Sequence, residues 1–153
     1  MFRPFGALDA VARGLALARQ ARRHGLVFLV GADARLAVRL RADGVHLPQR
    51  LTARPGAIKA LRRRFLVTAA AHDLPAARRA RRAGVDAIVI SPVFPSASPS
   101  AGRPLGVLRF AALVRRAGLP AYALGGVNAK TARRLTGSGA AGLAAIEGLA
   151  SKT

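Results

Sequence analysis

The stretch Ala83-Gly84-Val85-Asp86-Ala87-Ile88-Val89-Ile90 decides the fold. It leaves an Arg-rich amphipathic segment, turns on Ala-Gly and runs into the apolar Ala87–Ile90. Two other stretches are built alike: Arg41-Ala42-Asp43-Gly44-Val45 and Gly139-Ala140-Ala141-Gly142-Leu143. Each joins a helix-like end to an apolar run through Gly and Ala, whose small side chains allow close turning. The recurring joint reads as successive βα units, hence a parallel sheet covered by helices. The runs are apolar at every position, as strands buried on both faces must be.

On the N-terminal side, Asp9 is placed to cap a helix to about Arg23, with Val11, Leu15 and Ala18 on one face and Gly25 as its stop. Leu26–Val30 has strand length, a short helix covers Ala34–Leu40, and Gly44–Leu47 is a strand closed by Pro48. A helix over Ala57–Arg64 leads into a strand over Phe65–Ala69. Asp73 caps a helix to Ala83, with Pro75 in its first turn. Beyond Ile90 lie a Pro/Ser/Gly-rich loop over Ser91–Pro104, a helix over Val107–Ala117 and a strand over Ala121–Leu124. The Gly125-Gly126 turn, a helix from the Asn128 cap to about Leu135 and a strand over Gly142–Ile146 complete the pattern. Met1–Phe5 is short and reads either way, although Phe-Arg-Pro-Phe is strand-like.

Composition bounds this reading. The 153 residues, 52% of them hydrophobic, suit one domain spanning 1–153. With no Cys there is no disulfide framework, thiolate metal site or cysteine nucleophile. No apolar run approaches the ~18–20 residues of a membrane span. The N-terminal MFRPFGALDA lacks the basic-then-apolar order of a signal peptide, so the expected compartment is the cytoplasm.

The formal net charge of +20 invites a nucleic-acid reading. Only Lys59, Lys130 and Lys152 are lysines, so 23 of the 26 cations are Arg, and aromatics are 5%. Single-strand and RNA binders display aromatic stacking platforms, and no such run is present. The arginines recur as pairs at helical positions, such as Arg81–Arg82 and Arg115–Arg116. The solvated outer faces of helices are therefore favoured over a dedicated patch.

Repeated βα joints suit a (β/α) barrel, with a Rossmann-like sheet as the alternative. No Gly-x-Gly-x-x-Gly follows a strand and no Walker A loop is present. The pattern holds about seven strands, whereas a (β/α)₈ barrel needs eight and usually ~200 residues or more. The expectation is a barrel lacking its first βα unit. Either that unit is encoded upstream of Met1, or the barrel is open, its strand edges favouring a homo-oligomer.

Four segments, in order, resemble the thiamine phosphate synthase and thiazole tautomerase family. They are Ala42-Asp43-Gly44-Val45-His46-Leu47-Pro48-Gln49, Ala83-Gly84-Val85-Asp86, Ser91-Pro92-Val93-Phe94-Pro95-Ser96-Ala97-Ser98 and Ala123-Leu124-Gly125-Gly126-Val127-Asn128. Phe2-Arg3 matches the family's second strand. The resemblance implies a (β/α)₈ TIM barrel that lacks its first βα unit here. It also implies thiamine biosynthesis: an aminopyrimidine diphosphate is joined to a thiazole phosphate, with Mg²⁺, releasing pyrophosphate. Departure of pyrophosphate leaves a pyrimidine cation that the thiazole nitrogen attacks. The implied ligand is thus a small phosphorylated heteroaromatic compound, bound by a metal, cations and a second phosphate site.

The resemblance carries over residue by residue. Arg3 falls where the family places a diphosphate-binding Arg, although a solvated strand-end Arg reads equally well; Phe5 replaces the neighbouring Lys. Where the family has Asn-Asp, the Asp a Mg²⁺ ligand, this chain has Gly31-Ala32, with Asp33 next door. Gln49 is kept, but Arg50 replaces the next carboxylate for the metal, which needs hard oxygen ligands. Ala70 replaces a Ser and His72 is kept, either as a ligand contact or as a polar residue ahead of the Asp73 cap. His46 reads as buried and structural, and His24 has no functional case. Ser96 and Ser98 keep the substrate-contacting hydroxyls of the family's loop, in what is otherwise an ordinary Ser/Pro loop. Pro99 replaces its Lys, and Arg103 is the cation that follows. The tautomerase branch has a His near Pro92, absent here. Gly125, Gly126 and Asn128 fall at the family's thiazole phosphate site, where N–H groups at a turn and helix start bind phosphate. Glu147 stands where the family has Ser. A carboxylate repels phosphate, so Glu147 would pair with an Arg or take a cationic ligand. The resemblance names no catalytic side chain here. The alternatives are a non-catalytic or differently active phosphate-ligand binder and, third, a basic nucleic-acid-binding protein.

Overall fold

The computed structural model describes residues 1–4, 6–51, 58, 64–96, 98 and 102–146. Strands and helices alternate: α1 (Ala10–Arg23), β1 (Leu29–Gly31), α2 (Ala34–Arg39), β2 (Gly44–Leu47), β3 (Leu66–Ala71), α3 (Leu74–Arg82), β4 (Ala87–Ile90), α4 (Gly106–Ala117), β5 (Ala121–Ala123), α5 (Ala129–Ala132) and β6 (Gly142–Leu143). Short 3₁₀ turns occupy Gln49–Leu51 and Arg133–Leu135. The strands form one six-stranded sheet in the order β1 to β6, every pairing parallel. Phe2 adds a single parallel bridge to Val30 on the outer side of β1. The strands expected from the sequence are thus six in the sheet, with the seventh reduced to that bridge. The expected helix over 57–64 lies largely outside the described residues.

The helix-facing side of the sheet carries the core: Val30, Val45, Val67, Ile88 and Ile90 are fully buried, and Phe110 of α4 belongs to the same buried cluster. The other side carries smaller and more polar groups, with Gly31, His46, Thr68 and Ala87 in register across four strands.

Several expected features change, among them β3, which runs Leu66–Ala71 rather than Phe65–Ala69, and β5, which ends at Ala123 rather than Leu124. The first strand begins at Leu29 because the N–H of Leu26 closes the end of α1 on the Ala21 carbonyl at 2.8 Å, leaving Leu26 and Val27 exposed. The buried stripe of α1 is Gly14, Ala18 and Ala21, with Val11 packed partly buried against the core as expected, while Leu15 of the expected face is exposed. A Cβ on Gly14 would collide with Leu40 Cδ1, so glycine lets the helix lie close and turns Leu15 outward. The last strand stops at Leu143, since it pairs with β5 alone.

The aspartates organise the turns. The carboxylate of Asp43 accepts from Phe28 N at 2.8 Å, while Asp43 N donates to Phe28 O at 2.9 Å. Asp86 repeats the clamp on Val67, at 2.7 and 2.8 Å. At the third joint Ala141 N donates to Ala121 O at 2.8 Å, without the carboxylate. Asp33 and Asp73 cap α2 and α3 by accepting from Leu36 N at 2.8 Å and Ala76 N at 2.6 Å. Asp9 precedes α1 as expected but makes no cap bond, lying 3.7 Å from Arg13 instead.

Candidate functional site

In a parallel α/β sheet the loops at the strand C-terminal ends share one rim, the usual ligand face. Arg3, Gln49, His72, Ser91 and Gly125-Gly126 all follow strand positions at that rim. Gln49 Oε1 accepts from His72 N at 3.0 Å. His72 Nδ1 donates to the Ser91 carbonyl at 2.5 Å. A carbonyl only accepts, so Nδ1 carries the proton of this bond. The β4 and β5 loops are laced together: Val93 N donates to Leu124 O at 2.9 Å and Phe94 N to Gly125 O at 3.0 Å.

The Gly125-Gly126 turn needs its glycines. Their φ values are +91° and +63°. A Cβ on Gly125 would come 2.7 Å from Pro92 Cα, and one on Gly126 would strike the Pro95 carbonyl oxygen. No acceptor among the described residues takes the N–H groups of Gly125, Gly126 and Val127. The α5 start is different. Asn128 Oδ1 accepts from Lys130 N at 2.9 Å and Thr131 N at 3.1 Å. Thr131 Oγ1 accepts from Asn128 N and donates to Gly126 O at 2.8 Å. Asn128 is therefore a capping residue that braces the turn, and the donors open to an anion belong to residues 125–127. Thr131 escaped the sequence reading, although Asn-x-x-Thr has capping-box spacing.

At the other end of the rim Arg3 lies across Gly31: its Cγ is 2.8 Å from where a Gly31 Cβ would sit. Ala32 has φ +64°, and its N–H donates to His46 O at 2.8 Å. His46 is 4% exposed, with Nδ1 2.9 Å from Thr68 Oγ1. Burial, reinforced by Arg3 and the N-terminal amine, lowers its pKa to about 4. A cavity of about 380 Å³ beside Arg3 is also lined by Phe2 and Arg13. A second, of about 290 Å³, is lined by His72, Ser91, Pro92, Gly102, Arg103 and Leu105. Arg103 thus shares a cavity with His72.

Ser96 and Ser98 sit in the loop after β4, where Ser96 Oγ accepts from Ser98 N at 3.3 Å, a local turn. Glu147 lies outside the described residues. The Mg²⁺ implied by resemblance does not fit the described side chains. Among them no three His, Asp or Glu residues lie close enough to hold a metal ion. Asp33, the neighbour of the implied ligand position, gives its carboxylate to the α2 cap.

The fold is a parallel α/β sheet whose C-terminal rim carries Arg3, Arg103 and the open N–H groups of residues 125–127. The chain belongs to the thiamine monophosphate synthase family, whose model matches residues 5–149. It is 38% identical over 140 residues to the thiamine-phosphate synthase of Chromobacterium violaceum, covering 87% of this chain and 64% of that one. It is 31% identical over 125 residues to a putative thiamine-phosphate synthase 2 of Aquifex aeolicus, covering 82% of this chain and 67% of that one. The structure is similar to a thiamine phosphate pyrophosphorylase from Pyrococcus furiosus, with TM-score 0.75, 25% identity and coverage of 89% and 64%. The chain therefore spans about two thirds of the length of these relatives. No helix among the described residues is long and apolar enough to cross a membrane.

Proposed function

We propose that the chain serves thiamine biosynthesis in the cytoplasm as a thiamine-phosphate synthase-type protein. Its reaction would join an aminopyrimidine diphosphate to a thiazole phosphate and release pyrophosphate. The family match over residues 5–149 carries this reading. The N–H groups of residues 125–127 receive the thiazole phosphate. Arg3 and Arg103 offset the charge of the diphosphate, and the Gln49–His72–Ser91 chain holds the rim loops in register. We propose further that the sheet is the greater part of a (β/α)₈ barrel. Phe2 beside β1 makes a seventh parallel position, and an eighth strand would lie between Phe2 and β6. In-frame coding sequence for a βα unit upstream of Met1 would supply it from the same chain. Without such sequence, a second copy is the expected source, and sedimentation would show an oligomer.

A second reading is favoured by the aspartates. Each one described has its carboxylate at a backbone N–H or beside Arg13, and none joins a cluster. On that reading the protein binds the phosphorylated ligand without performing the family reaction. Mixing the purified protein with both substrates and Mg²⁺, with calorimetry of thiazole phosphate in parallel, separates them. Product above background supports the synthase. Binding without product supports the second reading, and neither signal refutes both.

A further inference from the structure

Helices that return from one parallel strand to the next all end at the strand N-terminal side, opposite the ligand rim. The hydrogen bonds of that side are continuous. Phe28, after α1, bonds Asp43, after α2. Leu66 N donates to Asp43 O at 3.0 Å, Val67 bonds Asp86, after α3, and Ile88 N donates to Pro120 O, after α4, at 2.9 Å. The last turns of the three longest helices among the described residues therefore surround one face, and each carries arginines: Arg22 and Arg23, Arg81 and Arg82, Arg115 and Arg116. Carboxylates stand at the starts of α1, α2 and α3 (Asp9, Asp33 and Asp73), one to a helix, whereas the last turns of the longer helices carry two or more arginines each. A helix C-terminus carries about half a negative charge, which one cation offsets. The second Arg at each end is surplus. The ends of α3 and α4 adjoin, because Arg81 Nη1 lies 2.5 Å from where a Gly118 Cβ would sit. The only ion pair among the described residues, Asp9–Arg13, is at the opposite, N-terminal end of α1.

We propose that this arginine face docks the phosphodiester backbone of a nucleic-acid duplex, independently of base sequence. Guanidinium groups pair bidentately with phosphate, and the cations are Arg rather than Lys. The chain has no Trp and a single Tyr, Tyr122 in β5, so it provides neither an array of stacking aromatics nor an aromatic membrane belt. The topology thus concentrates at one end cations that the sequence reading spread over outer helix faces. This partner is distinct from the ligand of the rim and does not depend on that reading.

The test is fluorescence anisotropy with 20-bp DNA and RNA duplexes across a potassium chloride series. The slope of log K against log salt should be steeper than about −4, as five or so phosphates require at about 0.9 each. The triple variant Arg82→Gln, Arg115→Gln, Arg116→Gln should lessen the slope by about 2–3. Arg81, packed on Gly118, is left in place. A control of equal charge, Arg35→Gln, Arg50→Gln, Arg109→Gln, should lessen it by less than about 1. Circular dichroism checks that both variants fold. Equal losses in the two triples would mean net charge alone and overturn the proposal. So would absent or salt-insensitive duplex binding, or binding to phosphatidylserine vesicles in place of duplexes.

Discussion

His46 ties the fold to the ligand rim, and its charge state has a measurable price. Burial at 4% exposure and the neighbouring Arg3 hold the imidazole neutral, with a pKa near 4 against an ordinary 6.5. Between those values the unfolded chain binds a proton that the folded protein refuses. Stability is therefore full above about pH 6.5 and falls as pH drops toward 4. One pKa unit is about 1.36 kcal/mol, so the full loss is about 3 kcal/mol and the part between pH 6.5 and 5 about 2 kcal/mol. The assay is urea unfolding of the wild type and of His46→Gln, which keeps a hydrogen-bonding group toward Thr68, at steps from pH 7.5 to 5. The difference between the two should close by about 2 kcal/mol over that interval. A parallel pair of curves would refute the assignment, as would an imidazole midpoint near 6.5 by NMR. Since Arg3 contributes to the shift, an anion bound at Arg3 should move that midpoint upward. Titration with inorganic pyrophosphate would show this directly.

Other consequences are equally concrete. Asp86→Ala removes a charge-assisted bond to a buried strand N–H and should cost about 2–3 kcal/mol, with Asp86→Asn clearly milder, in thermal unfolding. Gly126→Ala puts a Cβ at φ +63° against Pro95 O. It should weaken thiazole phosphate binding at least about tenfold by calorimetry, which corresponds to ~1.4 kcal/mol. Ala32→Gly relieves a left-handed conformation at φ +64° and should stabilise the protein by about 1 kcal/mol; a loss of stability would contradict that backbone.

Much of the fold was legible because burial on both sheet faces leaves an unbroken apolar run. Gly44–Leu47 and Ala87–Ile90 were bounded to the residue for that reason. Leu26–Val30 misled because a run does not say which of its members is covered, and Leu26 N is spent closing α1. The face of α1 misled because its closest contact is made by Gly14, which carries no hydrophobic signal. At the rim, the short motifs pointed to Gln49, His72 and the Gly125-Gly126 turn. Motif spacing gave Asn128 as a cap but did not show that Thr131 Oγ1 ties that cap back to the Gly126 carbonyl. Nor did it show that Arg3 occupies the space above Gly31, since both depend on elements brought together by folding.

The scarcity of acids then acquires a structural meaning. Only six acidic residues are present, and the five aspartates outside residue 147 are placed where turns and caps need them. Asp43 and Asp86 hold the strand N-terminal side, and Asp33 and Asp73 start helices at the rim. None is left to bind a divalent ion there. The rim does carry guanidinium groups at Arg3 and Arg103 and unbonded backbone N–H groups at residues 125–127, the groups to which the proposed function assigns anion binding. Such groups stabilise a departing diphosphate by charge alone when fixed before the reaction begins. They bind a phosphorylated ligand equally well when no reaction follows. Catalysis and simple capture therefore share one geometry here, and a carboxylate restored by Ala32→Asp, beside Arg3 and in a left-handed conformation that Asp tolerates better than Ala, is the substitution that should part them.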